Sequence, residues 1–150
     1  MKKAVILDEI SIDRKIKRLS YEILERNLNN KKLLLVGIKK NGFVLAKLIK
    51  KQLSKICKIK IDVTHVLVDK QKPFNECVIY NDNIENHKNT SMIVIDDVCS
   101  SGKTMMYVVS SLIHNLTNKI STLVLVDRKH HNFPIKTDYV GIEVSTTLRQ

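Results

Sequence analysis

The sequence predicts an α/β fold in which helices cover both faces of a twisted, mainly parallel sheet. Three continuously apolar runs have the length of buried strands, and they lie at residues 33–36, 93–95 and 123–126. Amphipathic segments of helical length separate these runs, and such alternation is typical of a largely parallel sheet. With 150 residues, 43% of them hydrophobic, the chain has the size and composition of one folded domain covering residues 1–150.

The first predicted element is an amphipathic helix. Its apolar residues recur every three or four positions: Ile12, Ile16, Leu19, Ile23, Leu24 and Leu28. Ser11 is placed to cap its start, and Asn29 with Asn30 can end it. The apolar run 33–38 then predicts a strand, and a second helical pattern covers 43–56. A glycine-bounded loop at 37–42 joins the two, so this segment is a predicted βα unit.

The middle of the chain changes to a pattern of short strands. A run that begins at residue 59 and a second run at 77–80 predict a strand and its hairpin partner, a small hairpin or hood added to the main sheet. Residues 81–91 are polar and rich in Asn, which predicts a loop. A second βαβ unit follows, with strands at 92–97 and 120–126 and a helix at 103–116.

Three polar loops follow the predicted parallel strands, at residues 37–42, 96–104 and 127–134. In open α/β sheets, ligands bind at the carboxyl ends of the strands, near the point where the strand order reverses. We therefore expect the functional residues to come from these three loops.

The most informative segment is 92–104, in which an apolar strand carries two adjacent carboxylates, Asp96 and Asp97, into a loop of small residues and then a helix. Backbone N–H groups, hydroxyls and the helix dipole in such a loop suit a phosphate dianion. The carboxylates can accept hydrogen bonds from vicinal hydroxyls such as those of a ribose. Because two unpaired carboxylates at a strand end are costly, the pattern favours a ribose 5-phosphate site over an ordinary acidic helix cap.

Residues 101–104 also imitate the end of a nucleotide-binding P-loop, Ser-Gly-Lys-Thr. A P-loop requires another glycine five positions before Gly102. Asp97 occupies that position, and the P-loop interpretation is therefore excluded.

Segment 92–104 resembles the phosphoribosyl-diphosphate signature of the type I phosphoribosyltransferases. Most of the chain outside 64–91 is similar to one group of that family, the bifunctional pyrimidine-operon attenuation proteins/uracil phosphoribosyltransferases. The similar segments are 4–9, 22–27, 36–39, 45–47, 126–130, 134–135, 138–141 and 145–147. The resemblance implies a homodimer that converts uracil and phosphoribosyl diphosphate to UMP and diphosphate, with a second role in regulating pyrimidine genes.

The resemblance also implies a role for each loop. Asp96 and Asp97 would bind the ribose hydroxyls. The 5-phosphate would be bound by Ser100, Ser101, Gly102, Lys103 and Thr104. The diphosphate would carry a magnesium ion, with no direct protein ligand, to Lys39, Lys40, Asn41 and Gly42. The base would lie near Val126, Asp127 and Arg128. No covalent nucleophile is expected, because positioning and charge stabilise an oxocarbenium-like transition state.

Two features bear on the choice of reaction. Purine-specific relatives of the hypoxanthine-guanine type place an acidic residue at the position of Ser100, so a serine there disfavours that subclass. The family's flexible loop carries an arginine at the position of Leu67, so a cation that closes over the diphosphate is missing. Two alternatives therefore remain: a nucleotide-sensing, RNA-binding regulator with little or no catalysis, and a phosphoribosyltransferase for another base.

Positive charge is concentrated in the first part of the chain. The net charge is +11, and residues 1–60 contain 17 Lys and Arg against 5 Asp and Glu, whereas residues 61–150 contain 9 against 10. Cationic stripes on the first two predicted helices can track RNA phosphates. They consist of Arg14, Lys15, Lys17, Arg18, Lys47, Lys50, Lys51 and Lys55. Few aromatic residues accompany them, and lysine enrichment of solvent-exposed helix faces is the alternative explanation.

The cysteines and histidines predict neither a disulfide nor a metal site. The three cysteines are widely spaced without a CxxC pair, which favours a reducing, cytoplasmic environment. Cys99 lies in the phosphate loop, where we expect it to pack rather than to act as a nucleophile. His114, His130 and His131 are attributed to loop polarity. The N-terminal apolar run is too short for a signal peptide or a membrane span, so no membrane association is expected.

Overall fold

The computed structural model describes residues 8–73, 76–81, 84–114 and 117–145, apart from the side chains of residues 85 and 86. Helices and strands alternate through most of this part of the chain, as the sequence predicts. The elements are α1 (Glu9–Arg26), β1 (Lys32–Ile38), α2 (Lys39–Ile56), β2 (Lys60–Val68), β3 (Val78–Tyr80), a 3-10 helix (Ile84–His87), β4 (Ser91–Cys99), α3 (Lys103–Leu112), β5 (Ile120–Arg128) and β6 (Tyr139–Val144).

The strands form one sheet in the order β3-β2-β1-β4-β5-β6. Neighbouring strands are parallel except for β2 and β3, where Leu67 lies opposite Ile79 in an antiparallel pair. The predicted parallel sheet with a hairpin addition is therefore confirmed. The chain places β2 on one side of β1 and then returns to place β4 on the other side, so the strand order reverses between β1 and β4. The segments that follow these two strands consequently lie side by side.

Two hydrophobic layers cover the sheet, one on each face. Leu33 and Leu35 of β1 belong to the layer formed with α1 and α2, while Leu34 and Val36 belong to the layer formed with α3. All four side chains are fully buried, because β1 is central and successive side chains of a strand point to opposite faces. Helices on both faces are thus confirmed. None of the described helices has the length and apolar character needed to cross a bilayer.

The connection from β1 to α2 is tighter than the loop predicted at 37–42. β1 passes directly into α2, which begins at Lys39 with a left-handed φ of 55°. Two glycines permit this. A Cβ atom on Gly37 would lie 2.5 Å from the Phe43 Cα, and one on Gly42 would lie 2.5 Å from the Ile95 carbonyl oxygen. Residues 39–42 are therefore the first turn of a helix that packs directly on β4. The prediction that the loop extends from residue 37 to residue 42 was wrong.

Several other boundaries differ from the prediction. Asp8 rather than Ser11 caps α1, since its Oδ1 accepts a hydrogen bond of 2.8 Å from the Ser11 N–H. α3 ends at Leu112, and part of its predicted continuation, residues 115 and 116, lies outside the described residues. β4 and β5 extend two residues beyond their predicted ends, to Cys99 and Arg128. β6 was not predicted, because Gly and Glu interrupt its apolar residues and leave no continuous run.

Candidate active site

A cavity of about 310 Å³ opens at the carboxyl ends of β1 and β4, where the strand order reverses. It is lined by both carboxylates predicted to bind ribose and by all five residues predicted to bind the 5-phosphate. Lys39 and Asn41 line it from the first turn of α2. The topology therefore brings together two loops that are more than fifty residues apart in the sequence.

The two carboxylates are fixed by short-range hydrogen bonds. The Asp97 N–H donates to Asp96 Oδ1 at 2.8 Å, and the Val98 N–H donates to Asp97 Oδ1 at 2.9 Å. From the neighbouring helix, Asn41 Nδ2 donates to Asp97 Oδ2 at 3.1 Å. Each carboxylate thus has a defined orientation while keeping acceptor capacity toward the cavity.

Asp96 is the more perturbed of the two acids. The pKa of its carboxyl group is raised from 3.8 to about 7, chiefly by burial and then by the Asp97 side chain, while the Asp97 N–H and Lys39 oppose the shift. Near neutral pH this group therefore exchanges between a carboxylate that only accepts hydrogen bonds and a carboxylic acid that also donates one. Either form can bind a hydroxyl group of a sugar.

The phosphate loop joins β4 to α3. Ser101 Oγ accepts a hydrogen bond of 3.2 Å from the Lys103 N–H, and Gly102 takes a left-handed φ of 86° immediately before the helix. At the start of the ten-residue helix α3, the first N–H groups lack intrahelical acceptors and carry the positive end of the dipole. This geometry suits an anion such as a phosphate.

A second segment supports the phosphate loop from behind. The Phe133 N–H donates to the Ser101 carbonyl oxygen at 3.0 Å, and a Cβ atom on Gly102 would lie 2.4 Å from Ile135 Cγ2. Only glycine therefore fits at this left-handed position. The β5–β6 connection consequently holds the phosphate loop in place.

The four residues predicted to meet the diphosphate are not equivalent. Lys39 and Asn41 line the cavity. Lys40 is exposed and Gly42 is buried against β4, so the structure places neither among the lining residues. The helical path of residues 39–42 explains the difference, because it turns neighbouring residues to different sides.

The residues predicted near the base lie at the end of β5, one strand away from the ribose carboxylates. Arg128 is exposed, whereas Asp127 is buried. None of the three predicted base residues (Val126, Asp127, Arg128) lines the cavity. The structure therefore does not bring the predicted base residues together with the predicted ribose and phosphate residues.

Sequence reasoning missed a buried polar cluster around Asp127. His131 Nε2 lies 2.5 Å from Asp127 Oδ1, and Thr137 Oγ1 donates to Asp127 Oδ2 at 2.6 Å. His131 therefore has a specific partner rather than general loop polarity. The only hint in the sequence was the spacing of four residues between Asp127 and His131. That spacing brings the two side chains into contact only because the chain beyond β5 folds back.

Cys99 lies beside this cluster. Its side chain is buried in the hydrophobic layer of α3, as predicted. Burial, followed by the negative charges of Asp127 and Asp96, raises the pKa of its thiol to about 11. The thiolate form is therefore rare at neutral pH, which agrees with a packing role and disfavours nucleophilic catalysis.

The sequence and fold match known proteins along nearly the whole chain. Residues 5–148 match the phosphoribosyl transferase domain. A Leuconostoc mesenteroides protein named bifunctional protein PyrR is 36% identical and aligns over 97% of this chain and 86% of its own length. Its namesake in Clostridium kluyveri is 35% identical over 97% and 85%. A solved hypoxanthine-guanine phosphoribosyltransferase of Bacillus anthracis has a TM-score of 0.79 at 19% identity, covering 95% of this chain and 82% of that chain, a likeness of fold alone.

Proposed function

The chain belongs to the phosphoribosyl transferase domain family and is a phosphoribosyltransferase, and we propose that it converts uracil and phosphoribosyl diphosphate to UMP and diphosphate. A base nitrogen bonds to the anomeric carbon as the bond to the diphosphate oxygen breaks. The electron pair leaves with the diphosphate, and the base releases its N–H proton to solvent. The observation that carries the proposal is the single cavity shared by Asp96, Asp97, the phosphate loop and Lys39.

The ribose would be held by the acidic pair. Vicinal hydroxyls present two donors at a spacing that adjacent carboxylates can accept. Because Asn41 orients Asp97 and backbone N–H groups orient both acids, little rearrangement is needed on binding. Their negative charge also stabilises the positive charge that develops on the ribose ring in the transition state.

The phosphates would occupy the two ends of the cavity. Residues 100–104 would bind the 5-phosphate through N–H groups and hydroxyls, and Lys39 would meet the diphosphate at the other end. A magnesium ion carried by the diphosphate fits this chemistry, since carboxylate and phosphate oxygens are the ligands that magnesium prefers. The ion would neutralise charge on the leaving diphosphate, close to Asp96, Asp97 and Asn41.

Uracil is proposed as the base on two grounds. The relatives with 35–36% identity carry the name bifunctional protein PyrR, and the sequence resembles the bifunctional pyrimidine-operon attenuation proteins/uracil phosphoribosyltransferases. Ser100 lines the cavity without an ionisable group where the hypoxanthine-guanine type has an acid. A different base is the competing assignment.

A diphosphate-release assay tests the base. The full chain is mixed with phosphoribosyl diphosphate and magnesium, and uracil, hypoxanthine, guanine, adenine and orotate are added separately. We expect release with uracil only. Turnover with a purine and none with uracil would overturn the assignment.

The double variant Asp96→Asn, Asp97→Asn tests the ribose site. It should remain folded but bind phosphoribosyl diphosphate more weakly, because neutral amide oxygens are weaker hydrogen-bond acceptors than carboxylate oxygens. Asp13→Asn on the exposed side of α1 is the matched control. Unchanged ligand affinity in the double variant would contradict the ribose assignment.

A second candidate function, RNA-binding regulation, is supported by the exposed face of α2. Lys50, Lys51 and Lys55 are exposed, and within the described residues no carboxylate lies at ion-pair distance from them. Two cations of the α1 stripe are less available, since Lys17 pairs with Asp13 and Arg18 binds carbonyl groups of β6. The proposed RNA surface is therefore α2.

A gel shift with pyrimidine-leader RNA tests this surface at low and moderate salt. The variant Lys50→Gln, Lys51→Gln, Lys55→Gln should weaken binding, whereas Lys17→Gln on α1 should change it little. Absence of binding by the unmodified chain at low salt would exclude the regulator. No turnover with any base, together with RNA and nucleotide binding, would instead favour a regulator without catalysis.

We also propose that the chain is a single-domain, cytoplasmic homodimer. Within the described part of the chain neither Cys57 nor Cys99 forms a disulfide, which supports a reducing compartment. The homodimer is proposed from the resemblance to a family whose members commonly form dimers. Light scattering coupled to size exclusion would measure the mass, and a strictly monomeric mass at high concentration would exclude the dimer.

A further inference from the structure

Cys99, Asp127 and His131 form a compact cluster next to the phosphoribosyl cavity. Cys99 and Asp127 are register partners on β4 and β5, so their side chains leave the sheet on the same face. His131 returns to this pair from the β5–β6 connection. One donor atom of each side chain lies within 4.8 Å of the other two. We propose that these three residues bind a single zinc ion.

The surrounding hydrogen bonds orient two of the three ligands. His131 Nδ1 lies 3.2 Å from the Ile135 carbonyl oxygen, so Nδ1 can keep its N–H while Nε2, which lies 2.5 Å from Asp127 Oδ1, turns its lone pair to the metal. Thr137 donates to Asp127 Oδ2, which leaves Oδ1 directed at His131 Nε2. Metal-binding histidines and carboxylates commonly have such outer partners. In this protein these outer hydrogen bonds are already formed by the chain itself.

The ligand types select zinc over magnesium. A thiolate, an imidazole and a carboxylate suit zinc, whereas magnesium prefers oxygen ligands alone. On binding, the Cys99 thiol releases its proton to solvent, and the proton shared by His131 Nε2 and Asp127 Oδ1 is released to solvent as well. His131 then keeps its N–H on Nδ1, and the Nε2–Oδ1 hydrogen bond is replaced by one bond from each atom to the metal. The thiolate and the carboxylate together balance the two positive charges. Ligand atoms around zinc lie roughly 3 to 4 Å apart, so only small side-chain movements are needed.

Zinc at this position would connect two parts of the candidate site. It would join the end of β4 to the β5–β6 connection, which already contacts the phosphate loop through Phe133 and Ile135. Cys99 lines the phosphoribosyl cavity and Asp127 is one of the residues predicted near the base, but none of the three ligands is among the residues proposed to bind the phosphoribosyl group or magnesium. Zinc binding is therefore testable whether or not uracil is the base.

Cobalt(II) titration of the full chain provides the test, because cobalt reports its ligands by absorption. We expect one equivalent to bind with a thiolate-to-cobalt charge-transfer band, and one equivalent of zinc to displace it. Cys99→Ser should abolish the band, and His131→Asn should abolish tight binding. Thr137→Val should weaken zinc affinity about tenfold, as loss of an outer hydrogen-bond partner does.

Cys57→Ser and His130→Asn are the matched controls, since they remove the same side-chain types outside the cluster. Both should keep the band and the stoichiometry. A titration without a charge-transfer band, or a band that persists in Cys99→Ser, would overturn the proposal. Circular dichroism verifies folding. If Cys99→Ser fails to fold, the zinc affinities of His131→Asn and Thr137→Val test the proposal instead. Unchanged zinc affinity in both variants would also overturn the proposal.

Discussion

Asp96 lies beside a second carboxylate at the end of β4, in a position where burial disfavours negative charge. A group whose pKa is raised in the folded state stabilises the fold when it is protonated. That contribution is present below the usual pKa of the group and is lost as the pH rises through the folded value of about 7. Above neutral pH the ionised Asp96 carboxylate therefore destabilises the fold. Residues that lower stability in this way are common at functional sites.

Asp96→Asn should therefore stabilise the protein in a pH-dependent way. Asparagine resembles the neutral acid, so at pH 4 the variant and the unmodified chain should unfold with similar free energies. At pH 8 the variant should be more stable by on the order of 2 to 4 kcal/mol. Urea unfolding at both pH values measures the difference, with Asp13→Asn as the control. An equal difference at pH 4 and pH 8 would contradict the assigned shift.

Gly42→Ala should disrupt the first turn of α2. The added Cβ would lie 2.5 Å from the Ile95 carbonyl oxygen, and because its three nearest atoms are all backbone atoms of Ile95 and Asp96, no side chain can move aside to make room. We expect a loss of about 1 to 3 kcal/mol in the free energy of unfolding, together with weaker binding of phosphoribosyl diphosphate. Lys40→Ala, at an exposed position in the same turn, is the control. A Gly42→Ala protein as stable as this control would show that the close contact is absent.

At the scale of elements, α1 holds the last strand of the sheet through arginine. Arg18 donates to the carbonyl oxygens of Val140 at 3.1 Å and Gly141 at 2.6 Å. Arg26 donates to the Asp138 carbonyl oxygen at 2.9 Å and lies 4.6 Å above the Tyr139 ring. These contacts attach the edge strand β6 to the rest of the fold. Part of the positive charge of residues 1–60 therefore stabilises the fold.

Arg18→Gln should destabilise the protein, because two carbonyl groups of β6 lose a charged donor. The expected loss is about 1 to 2 kcal/mol in the free energy of unfolding. Arg14→Gln removes the same charge from an exposed position of α1 and should change stability little. Chemical unfolding monitored by circular dichroism compares the two. Equal stability of both variants would mean that the contact to β6 contributes nothing.

At the scale of the whole molecule, binding of a polyanion depends more on where the positive charges lie than on the total net charge. Residues 1–60, with 17 Lys and Arg against 5 Asp and Glu, carry a net charge of +12, and residues 61–150, with 9 against 10, carry −1, which together give +11. α2 presents its unpaired lysines on the helix surface, away from the hydrophobic layer that it forms with β1. A polyanion that follows this helix would release counterions, so its affinity must fall with salt.

The triple variant Lys50→Gln, Lys51→Gln, Lys55→Gln should change the salt dependence of RNA binding. Each lysine that contacts a phosphate of a single strand contributes about 0.7 to the slope of log K against log salt, so the slope should decrease by about 2. Fluorescence anisotropy with labelled RNA from 50 to 200 mM salt measures it. An unchanged slope would place the RNA contacts elsewhere.

Much of the candidate site follows from local sequence. Asp96, Asp97 and residues 100–104 are recognisable because strand, acidic pair, phosphate loop and helix start are contiguous. The sharp turn at Lys39 was not predictable, since it depends on β4 approaching Gly42. β6 also escaped prediction, because pairing with β5 and packing on α1 compensate for its weak apolar pattern.

By itself, the sequence determined the fold class, the order of most elements, the family signature and the concentration of positive charge near the N-terminus. These properties depend on hydrophobic periodicity and on neighbouring residues, which the chain displays directly. Only the tertiary structure decided that Asn41 meets Asp97, that Lys40 is turned away, and that Cys99, Asp127 and His131 converge. Such contacts depend on strand register and on a chain that folds back, because distances between residues remote in sequence are set by packing.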